Sequence, residues 1–532
     1  MPFAALALAA LAAVPAEHPP TSQSTTLRAS VDSSGAQANK RSWYCDVSAD
    51  GRFVAFESEA TNLVPGDTNN VFDVFVHDLL TGVTERVSVN AAGVQGDFLS
   101  ARPALSADGR FVAFMSLATN LDPADTNNKY DVYVRDRMLG VVERVSVSSS
   151  GAQVSRDSDW PTISGDGRYV AFWSEAINLV PGDTNGVPDV FLRDRTTSTT
   201  TRVSVASGGV QGNDRSLYPR LSRDGSRVIF ESSASNLWPG DANGVWDVFV
   251  HEIASGLTTC VSVNPAGIPG NGGSGHLAAL SADGRWACFT SGASDLVPGD
   301  ANGYEDVFVR DLLTGITEMA SVSSAGLQGN GSSGDERVTI SGNARFVGFS
   351  SNATTLVIGD TNATTDIFVR DRLTGTTTRV SVATGGGQSN HQSNRTSISG
   401  DGRIVAFHSH ASNLVVGDSN GQIDVFVHDR GPVGLALTRG GTCPGATSLA
   451  VAGATPGGTV LLLSGPAGST TRGGPPCAGL TLAIAPPTLR AARTADGAGA
   501  VALSFNAPAG ACGATVQAVD VAACAVSNVV VL

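Results

Sequence analysis

The chain has 532 residues and a formal charge of −14 at neutral pH; 41% of it is hydrophobic, only 15% is charged, and 62 residues are glycine. It is apolar enough for a large core, and its glycine content favours many turns over long helices. With only two lysines (Lys40 and Lys129), it lacks the net basic face that nucleic acid requires, and no internal apolar run reaches the roughly 20 residues of a membrane-spanning helix.

Residues 3–14 (FAALALAALAAV) form a short apolar stretch followed by small residues at 14–16. This reads as a secretory signal over 1–16, although the usual basic residue before the apolar part is absent. Residues 17–24 read as a linker. The expected location is therefore the periplasm, the cell surface or the extracellular space.

The main body is a repeat, and repeats decide architecture before any other signal. SADGRFVAF at 48–56 returns at 106–114, then as SGDGRYVAF (164–172), SRDGSRVIF (222–230), SADGRWACF (281–289), SGNARFVGF (341–349) and SGDGRIVAF (399–407). The aspartate position recurs at spacings of 58, 58, 58, 59, 60 and 58. Each copy carries four strand signals: a short strand before the turn, the FVAF run, a run such as DVFVHD (73–78), and one such as TERVSV (84–89). The second and third are continuously apolar, as strands buried on both faces are. Such a unit must be covered by its neighbours, which is how propeller blades stack. The last copy ends at DVFVHD (424–429) without its fourth strand, and TTLRASV (25–31) matches the missing piece. The expected fold is all-β: a seven-bladed β-propeller over 25–430, four strands per blade, with the N-terminal strand completing the last blade.

The S-x-D-G-R-x-[VI]-A-F pattern resembles the TolB-like, WD-repeat-like propellers of bacterial exported proteins. The resemblance covers residues 25–430 and implies a propeller. TolB also carries an α/β domain, for which the 24 residues before the repeats leave no room, so its partner binding is not implied. Related propellers accompany prolyl-oligopeptidase-type hydrolases and some polysaccharide lyases, whose active residues have no match in this chain.

In such a blade the long links emerge on one face, where loops held by a rigid scaffold carry function. An Asp-x-Asn-x-x-x-Asp motif precedes every third strand: Asp67, Asn69, Asp73; Asp125, Asn127, Asp131; Asp183, Asn185, Asp189; Asp241, Asn243, Asp247; Asp300, Asn302, Asp306; Asp360, Asn362, Asp366; and Asp418, Asn420, Asp424. Oxygen ligands two residues apart suit a hard cation, so these are candidate Ca²⁺ ligands that resemble part of exported calcium loops. The alternative is that each Asp and Asn makes an Asx-turn to its own backbone.

A Gly-x-Gln motif follows six of the fourth strands, and its glutamine is expected to bond backbone between blades. The residues leading from it into the channel-lining strand do vary, and supply a candidate ligand-binding set: Trp43, Tyr44, Arg102, Trp160, Tyr218, Arg220, Arg337, His391 and Arg395. An aromatic, arginine-rich mouth suits a sugar or an acidic peptide. Signals for an enzyme are poor: there is neither G-x-S-x-G nor H-E-x-x-H, and His408 and His410 share a strand face without a third ligand.

From Pro432 the repeat gives way to apolar runs separated by Pro/Gly turns, which predicts a small immunoglobulin-like β-sandwich over 431–532. Its four cysteines allow disulfides, with Cys443–Cys477 and Cys512–Cys524 the expected pairing of three possible ones. The expectation overall is a non-enzymatic exported propeller, stabilised by calcium, that serves as a protein- or glycan-binding or adhesion scaffold at the cell envelope or outside the cell. The alternatives are a carbohydrate-active or hydrolytic enzyme at the channel mouth and a purely structural surface protein. An acid–base cluster confined to one blade mouth would favour the enzyme; an aromatic patch alone would favour binding.

Overall fold

The computed structural model describes residues 24–431 and, beyond them, the backbone of strands between 436 and 531. Residues 24–431 form seven four-stranded antiparallel sheets and no helix. The first strands are Ser42–Val47, Ser100–Leu105, Ser158–Ile163, Ser216–Leu221, Ser274–Leu280, Thr339–Ile340 and Ser393–Ile398, and they number blades 1 to 7. Each touches the next around the axis, and blade 7 touches blade 1. The ring closes through Thr25–Arg28, which pairs antiparallel with Asp424–Asp429, Thr25 opposite Asp429 and Arg28 opposite Phe426. The seven-bladed propeller expected from the repeat is the observed fold.

Continuous apolar strands are buried on both faces because each blade is a filling between two others. Ala55, Val74 and Val76 of blade 1 pack on Val112, Phe114 and Tyr133 of blade 2, while Phe56 and Phe75 pack towards Ala406 and Val427 of blade 7. In every blade an aromatic pair lies opposite in register on the second and third strands, as Phe56 and Phe75 do with ring centroids 5.8 Å apart. Each such fully buried ring contributes roughly 1.5–3 kcal/mol.

The repeated Ser-x-Asp-Gly-Arg turn is a hydrogen-bond device. Asp50 Oδ1 accepts from Ser48 Oγ and from the Arg52 amide at 3.0 Å, and Ser48 Oγ accepts from the Phe53 amide. Gly51 has φ 73°, and a Cβ there would stand 2.7 Å from Ile404 of blade 7. Arg52 then grips Asp78 with two bonds, of 2.9 and 2.6 Å, tying this turn to the one between third and fourth strands. The same fork in blade 3, from Arg168, holds Asp194 down at about 2. Around the axis at this end, backbone bonds link Ala49, Ala107, Gly165, Arg223, Ala282, Gly342 and Gly400 into a closed circle, Asp224 donating in place of Arg223 on one step.

Beyond the propeller, Gly445–Ala452 pairs with Ala436–Gly441 and Val501–Ala507, and Thr459–Gly465 pairs with Thr488–Thr494 and Thr515–Asp520. The packing of these sheets into a sandwich, the four C-terminal cysteines and the signal over 1–16 lie outside the described residues. No described helix is long and apolar enough to cross a membrane.

Candidate functional site

The channel is lined by a strained ring. In six first strands the register slips by a bulge, so that in blade 1 Tyr44 and Cys45 together oppose Phe56 alone. The bulge holds Tyr44, Arg102, Trp160, Tyr218, Leu277 and Arg395 at φ between 35° and 60°. Bulky side chains rarely adopt this region, and strain of this kind gathers at functional sites.

These side chains converge. Trp160 lies 5.8 Å from Tyr44 and 5.0 Å from Tyr218, Arg102 stacks 4.3 Å from Trp160, and Arg395 lies 3.6 Å from the Tyr44 ring while donating to its hydroxyl. Trp43 flanks the ring and donates its indole N–H to His408 Nε2, so His408 has a structural partner. Arg220 lies one layer deeper. His391 does not join: it is exposed on the rim, 5.1 Å from His410. Nor do three of the arginines stand ready for an acidic peptide. Arg102 is ion-paired with Asp159, Arg395 with Glu336 at 2.8 Å, and Arg337 with Asp46 at 3.0 Å.

A cavity of about 590 Å³ at the mouth is lined mostly by blades 4 to 6, with Trp160 of blade 3 and Arg395 of blade 7 at its edge. Trp160, Tyr218 and Trp246 form its aromatic wall; Glu231, Glu305, Asp335 and Glu336 supply carboxylates, with His276 among them. His276 Nε2 lies 3.4 Å from Glu305 Oε1, which raises the imidazole's pKa and lowers the carboxyl's. Glu231 is buried, which pushes it up to about 7, and it accepts the Leu277 amide at 2.6 Å. Glu57 in blade 1 holds the Arg102 amide in the same way and is also pushed up to about 7 by burial. The Glu231 contact is thus a repeated structural one. Asp335 makes no hydrogen bond or ion pair among the described residues; desolvation and Glu305 raise it.

This cluster was not foreseen, yet the sequence carries its signal. A Ser–Ser hydrogen bond joins the start of the first strand to the end of the second across 16 residues in five blades, but 17 in blade 5 (Ser274–Ser291) and 18 in blade 6 (Ser333–Ser351). The extra residues enlarge the bulge. Three residues, His276 to Ala278, oppose Phe289 in blade 5, and Gly334 to Val338 oppose only Phe349 and Ser350 in blade 6. The drift in spacing to 59 and 60 is the insertion of this site.

The Asp-x-Asn loops are held by a partner the sequence reading did not assign. Arg86, on the fourth strand, puts Nη1 3.4 Å from Asp67 and 3.5 Å from Asp73, while Asn69 bridges Asp73 and the Gly96 carbonyl. Arg28, Arg144, Arg202 and Arg379 do the same in blades 7, 2, 3 and 6. The positive charge expected from a cation is therefore supplied by a guanidinium in five blades. In blades 4 and 5 the arginine is replaced by Cys260 and Met319; burial pushes Asp247 and Asp306 up to about 6, as it does Asp73 and Asp131 beside their arginines. Among the described residues no group of three or more His, Cys, Asp or Glu is arranged to hold a metal. The Gly-x-Gln glutamine grips this same loop rather than the next blade: Gln95 accepts from Arg86 at 2.7 Å and donates to Thr68 Oγ1, and only its backbone carbonyl is bonded by Asn120 of blade 2.

No protein-family model and no curated protein matches the chain. Solved structures similar to it include TolB from Acinetobacter baumannii, 16% identical over 64% of this chain with a TM-score of 0.35; the match spans 62% of TolB, under two thirds of its length. Oligogalacturonate lyase from Vibrio parahaemolyticus is 12% identical over 74% of this chain and 90% of its own, with a TM-score of 0.44. Acylaminoacyl peptidase from Pyrococcus horikoshii is 8% identical over 78% of this chain and 57% of its own, with a TM-score of 0.43.

Proposed function

We propose that this propeller is a non-enzymatic, exported binding protein that takes a neutral or amino-bearing glycan into the mouth pocket over blades 4 to 6. The observation that carries this reading is the lining of that one cavity. Three aromatic rings stand beside four carboxylates, next to the two bulges, of blades 5 and 6, at which the repeat is longer. Aromatic faces stack on the apolar faces of sugar rings, and carboxylates accept from hydroxyls and ammonium groups. The excess of negative charge disfavours a uronate.

The acid–base residues also support a second reading, a glycan-cleaving enzyme. Cleavage by paired carboxyl groups needs a free acid and a second free carboxylate. Here Glu231 is committed to the Leu277 amide, Glu305 to His276 and Glu336 to Arg395, which leaves Asp335 alone. Binding is the better-supported role. Any contribution of calcium is assigned to the loops of blades 4 and 5, where no arginine enters.

The test is retention on immobilised neutral, amino and uronic oligosaccharides, with chromatography of the eluted sugars. Retention of intact neutral or amino oligomers, lost on Trp246→Ala, is expected. Shortened products would transfer the site to the enzyme reading. Retention of uronates alone, or of nothing, would overturn both.

A further inference from the structure

We propose that the axial channel, below the mouth, holds a small tetrahedral oxyanion of the sulfate or phosphate type. The proposal is independent of the glycan site. One layer beneath the Tyr44–Trp160 ring, equivalent positions of the first strands, Asp46, Thr162 and Arg220 among them, enclose a chamber of about 80 Å³, with Arg337 of blade 6 reaching into its wall from the layer above and Arg223 entering from the turn below. It lies between two other levels of the channel. Above it a constriction of about 30 Å³ runs between Tyr44, Trp160 and Arg395. Below it lies the circle of backbone bonds.

The charges in this chamber do not balance. Asp46 is the one carboxylate in its wall, and it already accepts from Arg337 at 3.0 Å, Ser397 Oγ at 2.9 Å and the Leu105 amide at 2.9 Å. Arg337 retains a buried Nε without an acceptor. The guanidinium groups of Arg220 and Arg223 make no hydrogen bond or ion pair among the described residues; burial presses on both and Arg337 adds repulsion, which Asp46 only partly offsets. The Thr162 hydroxyl accepts from the Leu221 amide, which leaves its proton to donate.

Guanidinium forks match the oxygen geometry of tetrahedral oxyanions and bind them through paired, charge-assisted bonds. A chamber of this size has room for one such ion, against about 30 Å³ for each water. The sequence marks the site as well. Where the other six turns of the circle carry Ala or Gly, blade 4 alone carries a long side chain, Arg223, and blade 4 also supplies Arg220.

The experiment is calorimetric titration with phosphate and, separately, with sulfate, after dialysis into a buffer free of both and at constant ionic strength. The intact protein should bind one equivalent saturably. Arg220→Gln and Arg223→Ala should each weaken binding about tenfold or more. Arg223→Ala restores the residue type of its counterparts, so it tests the site even if Arg220→Gln fails to fold. No saturable binding by the intact protein, or unchanged binding by Arg223→Ala, would overturn the proposal.

Discussion

Thr26 Oγ1 and His428 Nδ1 lie 2.8 Å apart although 402 residues separate them in the chain. The same pair recurs within single blades as Thr84 with His77 and Thr258 with His251, seven residues apart. The contact is therefore an ordinary internal bond of a blade whose fourth strand comes from the other end of the chain. Thr26 also donates to the Val382 carbonyl of blade 6, as Thr84 does to Val31, so one hydroxyl fastens both its own blade and its neighbour.

Thr26→Val should consequently lower stability by about 1–3 kcal/mol, the penalty for leaving buried polar groups unpaired. Leu27→Pro, which removes a ladder amide and stiffens the closing strand, should lower it further. Denaturant unfolding measures both. An unchanged midpoint for Leu27→Pro would mean that the ring does not depend on this strand.

Arg86 stands between Asp67 and Asp73 with almost no exposure, its side chain 8% accessible and theirs 2% and 0%. Arg86→Met copies the residue that blade 5 carries at Met319 and leaves two buried carboxylates uncompensated. The expected loss is about 3–5 kcal/mol. Five of the seven loops carry such an arginine, so calcium and a chelator should leave the melting temperature of the intact protein nearly unchanged. A calcium-dependent rise abolished by Asp247→Asn or Asp306→Asn would instead place a cation in blades 4 and 5.

Glu57 and Glu231 titrate at about 7 in the fold because burial disfavours their charge. A carboxyl raised above its unfolded value binds its proton more tightly in the folded state. Its stabilising contribution is complete below the unfolded pKa and is lost as pH rises through about 7. Glu57→Gln keeps an acceptor for the Arg102 amide but cannot ionise. Its melting temperature should gain on that of the parent between about pH 5 and about pH 8, by up to roughly 3 kcal/mol of relative stability. A difference independent of pH would contradict the assignment.

The ring was legible because its determinants are local and recur: the Ser-x-Asp-Gly-Arg turn, the apolar second and third strands, and the Thr-rich fourth strand. The loop chemistry was harder to read. The arginine of TERVSV is printed beside its repeat in five blades, but its link to Asp67 and Asp73 arises only when the fourth strand folds back, with Arg86 opposite Phe75. The arginine follows the loop's last aspartate by 13 residues in four blades, but only the strand register turns that spacing into a contact. The ligand-facing residues divide in the same way. Tyr44, Arg102, Trp160, Tyr218 and Arg395 stand out because they vary where the motif is otherwise constant, and the bulge gathers them. His391 varies too, but it precedes the bulge and points to solvent. Asp335 escaped notice because comparing repeats aligns away the inserted residues that place it, and Glu305 because it sits at a variable position inside the Asp-x-Asn motif.

The central claim is that the departure from sevenfold regularity over blades 4 to 6 is the binding site. It is tested most directly by titrating glucose and glucosamine oligomers against intrinsic tryptophan fluorescence in the intact protein, in Trp246→Ala and in Trp286→Phe, the last of which lies at the far end of its blade against Arg372. The account predicts a saturable change in the intact protein and in Trp286→Phe, and about a tenfold or greater loss of affinity in Trp246→Ala. Equal affinity in all three proteins, or no saturable change in any, would contradict it.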